Sequence, residues 1–385
     1  MRNILVTELR QVALEEQPLE ICERKGLGHP DSICDAVMNQ VSIELSKEYL
    51  RRFGAILHHN LDKGLLAAGE ARVKFGGGEI LRPMRIIYGD RATFRVGDEQ
   101  IPVDEIAIRS TTEWLRRNLR FVDPDVHVTF QSEIKPGAKA LQDIFERKGR
   151  FLGANDTSAT VGFAPLTETE GLILGWEDIK IMGLRRGRVL DLTVAMALVD
   201  RFISGEGDYF RKKAEIEEAI DDFISANYGF EEVNLGLNVL DAQGRGIEGL
   251  YLTVLGTSAE GGDSGQVGRG NNVIGVIPLN RPVSSEAAAG KNPVSHVGKI
   301  YNILSYRIAD QVSRRVNGVK ETYIWLLSSI GQPIDMPKVV SAQVILEDGV
   351  ELGAVSPEIE ETIAHEFEHL EEFCMDLAHG RINIC

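Results

Sequence analysis

Segments with helical period and strand-like runs follow one another in this chain without the regular strand–helix alternation of a doubly wound parallel sheet. That irregular order most restricts the fold. After His29-Pro30-Asp31, the apolar residues Ile33, Val37, Val41, Leu45 and Tyr49 recur every fourth position, so a helix is expected to start there. Val103–Leu119 follows Pro102 and carries Ile106, Ala107, Trp114 and Leu115. Tyr209–Tyr228 stops at Gly229, and Val297, Ile300, Leu304, Ile308 and Val312 mark a fourth helix. A fifth is predicted to begin at Ser356-Pro357, as an N-cap followed by an N1 proline. Strand-like runs lie at Met84–Tyr88, Val126–Gln131, Val189–Val199, Leu250–Leu255, Tyr323–Leu327 and Gln343–Leu346. The reading is α+β with antiparallel or mixed sheets.

At roughly 100–200 residues per domain, 385 residues make two or three units. The net charge of −16 disfavours non-specific nucleic-acid binding, which needs basic residues to neutralise phosphates. Any local basic site would stand out against it. The longest mainly apolar run, Val189–Val199, is broken by Asp191 and Thr193, and nothing approaches the roughly 18–20 residues of a spanning helix. Met1–Arg10 shows no secretory core. Four cysteines without a CxxC pair fit a reducing compartment, so a cytoplasmic, non-membrane protein is expected.

Three segments concentrate polar residues and glycine. In Glu23–Asp31, glycines allow close backbone approach, and the following helix aims its N-terminal amides at an anion. His29 would stand there as proton donor and Asp31 as metal ligand; a loop with a capping Asp is the other reading. In His58-His59-Asn60-Leu61-Asp62-Lys63, adjacent histidines on a strand point to opposite faces, so one is structural. Asp62 with Lys63 reads either as a cation and phosphate pair or as a solvated turn. The third segment, Gly256–Gly275, holds seven glycines in twenty residues, with Asp263 and Arg269 among them. Lys291 and Lys299 follow. Arg269 offers a fork and the two lysines point charges, a set suited to a polyphosphate. Neither Gly290-Lys291 nor Gly298-Lys299 has the spacing of a Walker A loop.

His365-Glu366-Phe367-Glu368-His369 matches the HExxH pattern of zinc peptidases. Phe367 belongs to the buried stripe, however, and the histidines fall in a run of acidic residues that reads as a solvated face.

Taken together, Gly28-His29-Pro30-Asp31-Ser32-Ile33-Cys34-Asp35, His58–Lys63, Ala68–Glu70, Phe75–Glu79, Ala154–Ser158, Gly162–Pro165, Met182–Gly187, Gly256–Asn271 and Glu286–Asn302 resemble the archaeal-type S-adenosylmethionine synthetases in order and spacing. The resemblance implies that methionine sulfur attacks C5′ of ATP and displaces the triphosphate, which is then hydrolysed to pyrophosphate and phosphate. A thioether nucleophile needs no general base. The barrier lies in stabilising a leaving group of about four negative charges, which calls for Mg²⁺ and basic residues.

By the same resemblance, His29 stabilises the leaving oxygen and Asp31 ligates Mg²⁺. Asp62 holds a second cation, divalent or monovalent such as K⁺, with Lys63 near the phosphates. Glu70 and Asp156 meet the methionine ammonium, and Asp263 contacts ribose or methionine. Arg269, Lys291 and Lys299 hold the triphosphate, and Arg188 stands where a phosphate-binding lysine occurs elsewhere in the family. The implied fold is three pseudo-repeated α+β units, set at about 1–125, 126–255 and 256–385 with interleaved segments, in a homodimer or tetramer with shared active sites.

The chain departs from the branch at Lys135-Pro136-Gly137-Ala138-Lys139-Ala140, where Gly-Gln-Gly-Ser ending in Asp is usual. Leu61, Ser264 and Asn272 replace the usual Thr, Asp and Arg. Alternatives are a related transferase acting on a methionine analogue or another nucleotide, and a catalytically silent nucleotide-binding homologue.

Overall fold

The structure is a computed structural model that describes residues 3–137, 145, 150–174 and 179–384. The His29-Pro30 signal folds as its chemistry dictates. Pro30 occupies the first turn of a helix, Pro30–Phe53, capped by His29 and closed by Gly54 in the left-handed region (φ 68°). Its four-residue apolar period packs Val37, Val41, Leu45 and Tyr49 against the helix Val103–Asn118 and one face of a sheet. That sheet runs in the order Val128–Ser132, Met84–Tyr88, Leu65–Ala67 and Gly265–Gln266. The last pairing stitches the glycine-rich loop to the chain two hundred residues earlier, with Gly265 opposite Leu66.

A five-stranded sheet runs Glu232–Leu237, Val189–Ala195, Lys180–Arg186, Leu19–Lys25 and Ile277–Pro278. It is antiparallel except where Val189–Ala195 meets Glu232–Leu237. Ile220 and Ile224 of the helix Glu206–Asn227 and Leu172 and Ile173 of Glu168–Leu174 cover its apolar side. A third sheet orders Ile4–Glu8, Val339–Leu346, Val319–Leu327 and Ala159–Ala164. Its core includes Ile300, Leu304 and Ile308 of the helix Val297–Arg315 and Ile359, Ile363 and Phe367 of Leu352–Glu368. Each of these three sheets therefore carries helices over a core of its own, in an α+β architecture. Each also joins segments far apart in sequence.

Local expectations fail at several places: the run Val189–Val199, for one, splits into Val189–Ala195 and Leu198–Val199, which join different sheets. The last helix pair starts at Leu352, not at Ser356, with Pro357 inside Leu352–Glu368. Burial of Val355 outweighs the cost of a proline in the second turn, and Ser356 Oγ bonds back to the Leu352 carbonyl at 2.7 Å. Pro124–His127 forms a helical turn under the Asp123 cap, so the strand begins at Val128 and not at Val126. Of Leu250–Leu255 only Leu252–Thr253 is strand, because Glu260 takes the next two amides, those of Val254 and Leu255.

Candidate active site

The strand Leu19–Lys25 delivers Lys25 to a short loop, and His29 then caps the helix. His29 Nδ1 accepts the Asp31 amide at 3.1 Å, which leaves the proton of a neutral ring on Nε2. Burial, opposed by the nearby Asp31 charge, lowers the His29 pKa from its ordinary value. At pH 7 the ring is neutral and presents an oriented Nε2–H donor.

Asp31 and Asp35 are one helical turn apart and share a face. Asp31 is buried, and its oxygens accept Lys25 Nζ and the Gln266 amide, each at 2.9 Å. Asp35 accepts the Gly268 amide at 2.7 Å and the Gly270 amide at 3.1 Å. The Lys25 ammonium also donates to the Arg269 carbonyl. Asn271 exchanges bonds of 2.8 and 2.7 Å with the Lys25 backbone. The segment around Arg269 is thus held from two sides, and its guanidinium has no partner among the described residues.

Lys25, His29, Asp31, Lys180, Asp263 and Arg269 line one cavity of ≈ 410 Å³. Sequence reasoning missed Lys180, a lysine at a strand end like any other; only its antiparallel register opposite Lys25 brings it here. Asp263 stands at the rim, accepting Ser258 Oγ at 3.0 Å. Beside His29 the wall turns apolar, with Ile179, Ala195, Ala197 and Tyr251 forming a second notch.

A second charged cluster forms where the Leu61 amide donates to the Gly290 carbonyl at 2.9 Å. Lys291 is buried, with its ammonium on Glu286 and 3.7 Å from Asp62. Lys63 pairs with Asp62 at 2.8 Å. Asn60 bridges Asp62 and Asp90 at 2.8 and 2.9 Å. Burial and then the bond to Asp62 raise Asp90. Burial opposes ionisation of Asp62, but Asp90, Lys63 and Lys291 hold its carboxyl below the usual range. Asp62 is therefore the ionised partner.

His296 also joins this cluster unforeseen. It caps Val297–Arg315 as His29 caps its helix, with Nδ1 accepting the Gly298 amide at 3.2 Å. Burial, then the Lys291 charge, pushes it down to about 3, so it too is neutral. A methyl group at Gly298 would meet Glu286 Oε2, His296 Cε1 and Lys291 Nζ, each at 3.1 Å. Lys299 lies beneath, donating to Asn39 Oδ1 at 2.7 Å and to the Lys291 carbonyl at 3.1 Å.

Residues 2–177 and 174–381 match the family model of S-adenosylmethionine synthetase (AdoMet synthetase). The chain belongs to the S-adenosylmethionine synthetase family. It is 43% identical to the S-adenosylmethionine synthase of Methanothrix thermoacetophila over 99% of each chain, and 46% identical to that of Thermococcus onnurineus over 92% of each. A solved S-adenosylmethionine synthetase from Campylobacter jejuni shares the fold over 94% of each chain, with a TM-score of 0.59 at 13% identity.

Not every residue expected in an S-adenosylmethionine synthetase site is gathered here. Arg188 lies beyond the far end of the strand that begins at Lys180, about 20 Å along the sheet. It pairs with Glu168 at 3.2 Å and stacks on Phe230. Glu70 is exposed, pairs with Arg82 at 3.2 Å and lines a separate open cavity. Asp156 accepts the Thr157 amide at 2.7 Å and is among the charges that act on His296. Of the adjacent histidines, His59 is structural, bonded to Ser42 Oγ at 2.9 Å and the Leu57 carbonyl at 3.0 Å.

The departures from the branch are accommodated singly. Leu61 is fully buried in the core, and Ser264 Oγ accepts the Ala68 amide at 3.1 Å. Asn272 keeps its backbone N–H on the Val276 carbonyl at 3.1 Å, but its side-chain Nδ2 is buried with no hydrogen-bond partner among the described residues. Positions 138–140 lie outside the described residues. In the HExxH run Glu366 is buried and ion-paired with Arg307 at 2.6 Å, so it is not free to act as the general base of a metallopeptidase.

Proposed function

We propose that this chain is an ATP:L-methionine S-adenosyltransferase. Methionine sulfur forms its third bond to C5′ of ATP, the C5′–O bond breaks, and the electron pair leaves with the triphosphate. Water then splits the triphosphate into pyrophosphate and phosphate. The observation that carries this reading is the neutral, oriented Nε2–H of His29 in one cavity with Lys25, Lys180 and Arg269. A donor placed where negative charge develops, among cations that take up the rest of it, is what departure of a polyphosphate requires.

His29 donates to the leaving oxygen. Arg269 and Lys180 take phosphate oxygens, and Lys291 and Lys63 take the remaining charge. Lys299 and the cap of His296 hold Lys291 and its neighbours in position. The adenine ring is assigned to the notch beside His29 that Ile179, Ala195 and Tyr251 help to line, and Asp263 to ribose. Glu70 and Asp156 are the carboxylates assigned to the methionine ammonium. Asp31 and Asp62 are all-oxygen donors of the kind Mg²⁺ takes together with phosphate oxygens. Bound there, Mg²⁺ would supply charge stabilisation of the leaving triphosphate. The same reading gives a soluble cytoplasmic enzyme.

A homodimer or tetramer with active sites shared between copies, as the family resemblance implies, belongs to the same reading. Sedimentation velocity is expected to show at least a dimer; a fully active monomer would refute shared sites. Incubation with ATP, methionine, Mg²⁺ and K⁺, followed by mass spectrometry, is expected to yield S-adenosylmethionine, pyrophosphate and phosphate. Cleavage of tripolyphosphate without S-adenosylmethionine would mean a different acceptor. Absence of both reactions in a folded oligomer would mean a silent homologue.

A further inference from the structure

The buried carboxylate of Asp35 has no cationic side chain bonded to it among the described residues, although Asp31, one turn earlier on the same helix, is paired with Lys25. It is 6% exposed, and its two oxygens are spent on the Gly268 and Gly270 amides, at 2.7 and 3.1 Å. Between those two amides lies Arg269. The fit leaves no room at Gly270, where an added Cβ would collide with Asp35 Oδ2, and Gly268 has φ +83°, a conformation a side chain would strain.

Burying a carboxylate with only two backbone donors is expensive. Here burial, outweighing those two bonds, pushes the Asp35 pKa up to about 7. A neutral residue would satisfy helix packing at lower cost. What the ionised carboxylate alone supplies, at pH above the value at which it titrates, is two acceptors in one plane, with no N–H or O–H to oppose the amides it faces.

We infer that Asp35 is the positioning residue of Arg269: by gripping the amides on either side, it sets the direction in which the guanidinium leaves the loop. This rests on the assignment of Arg269 to the triphosphate. The backbone around Arg269 is fixed before substrate arrives, while its side chain stays unpaired. Asp35→Asn keeps the volume but turns one acceptor into an NH₂ facing a backbone N–H, which releases one half of the grip.

The test is a double-mutant cycle read by tripolyphosphate binding in calorimetry, on Asp35→Asn, Arg269→Ala and the double variant. Asp35→Asn is expected to weaken binding about tenfold by misplacing one charge-assisted contact, and to have no further effect once Arg269 is alanine. Gly270→Ala presses on the same contact from the loop side and is expected to reproduce the loss, which guards against an Asp35 variant that fails to fold. Equal losses from Asp35→Asn with and without Arg269 would overturn the positioning role. Unchanged binding in Asp35→Asn or in Gly270→Ala would do the same. Tripolyphosphate binding that survives Arg269→Ala undiminished would instead remove the triphosphate assignment on which the inference stands.

Discussion

His29→Ala is expected to lower kcat by about 10²–10³ while the KM for ATP moves little, because the donor acts on an oxygen whose charge appears only as the C5′–O bond breaks. The ring Nε2–H is available since Nδ1 already accepts the Asp31 amide. Removing the ring also removes the helix cap, which costs about 1 kcal/mol of stability. His29→Asn separates the two effects: its carboxamide oxygen can cap, so the thermal midpoint should recover while kcat does not. An unchanged kcat in His29→Ala would eliminate the donor role.

The pH dependence follows in sign. The folded-state pKa of His29 is lowered, so its contribution to stability is present above the ordinary imidazole value and is lost as pH falls through the folded value. The rate should fall on the same acidic side, as a second proton on the ring ends acceptance at Nδ1.

Arg281→Met is expected to destabilise the fold by about 3–5 kcal/mol, measured as a shift in the denaturant midpoint. Arg281 Nε and Nη2 reach Glu170 at 2.8 and 3.0 Å, and Nη1 reaches Glu321 at 2.8 Å. The guanidinium also covers the Phe163 ring at 4.2 Å. Glu170 belongs to the helix on the five-stranded sheet and Glu321 to the sheet that begins at Ile4, so this cation bolts two cores together. Glu321 further accepts the Leu14 amide at 2.8 Å, and Glu170 the Thr167 amide at 2.9 Å. Methionine fills similar volume but leaves two carboxylates buried without a counter-charge.

Burial already raises Glu170 above its ordinary value, and loss of Arg281, the chief opposing charge, raises it further. The penalty of the variant should therefore be greatest above neutral pH and shrink as pH falls and the buried acids take up protons. A midpoint that does not move would show that the cation contributes nothing beyond its volume.

Much of this was legible in the chain. The periodic apolar residues from Ile33 to Tyr49 and from Val297 to Val312 specify helices because one face of each must meet a core, whatever that core is made of. The GHPD segment and the glycine-rich loop announce themselves because close backbone approach and an oriented cap need particular residue types. Lys180, Asp35, His296 and Asp90 carried no such mark. A lysine ending a strand, an acid in a helix and a histidine before a helix have common structural uses, and what makes each matter here is the neighbour it meets.

The helix start at Leu352 was hidden for the same reason, since packing of Val355 overrode a proline that reads locally as a boundary. Arg188 shows the converse. Its residue type suits a phosphate, but it sits in the turn after the strand Lys180–Arg186, at the end away from the cavity.

Residue types, the irregular order of helices and strands, and the family could be read along the chain, because these depend on local chemistry and on order. Which charges share a cavity depended on long-range packing. Strand register places Lys180 beside Lys25, and the loop Gly265–Asn271 is seated on the helix of Asp31 and Asp35 from more than two hundred residues away. Pairing at that distance is set by the burial of whole faces, and no local pattern encodes it.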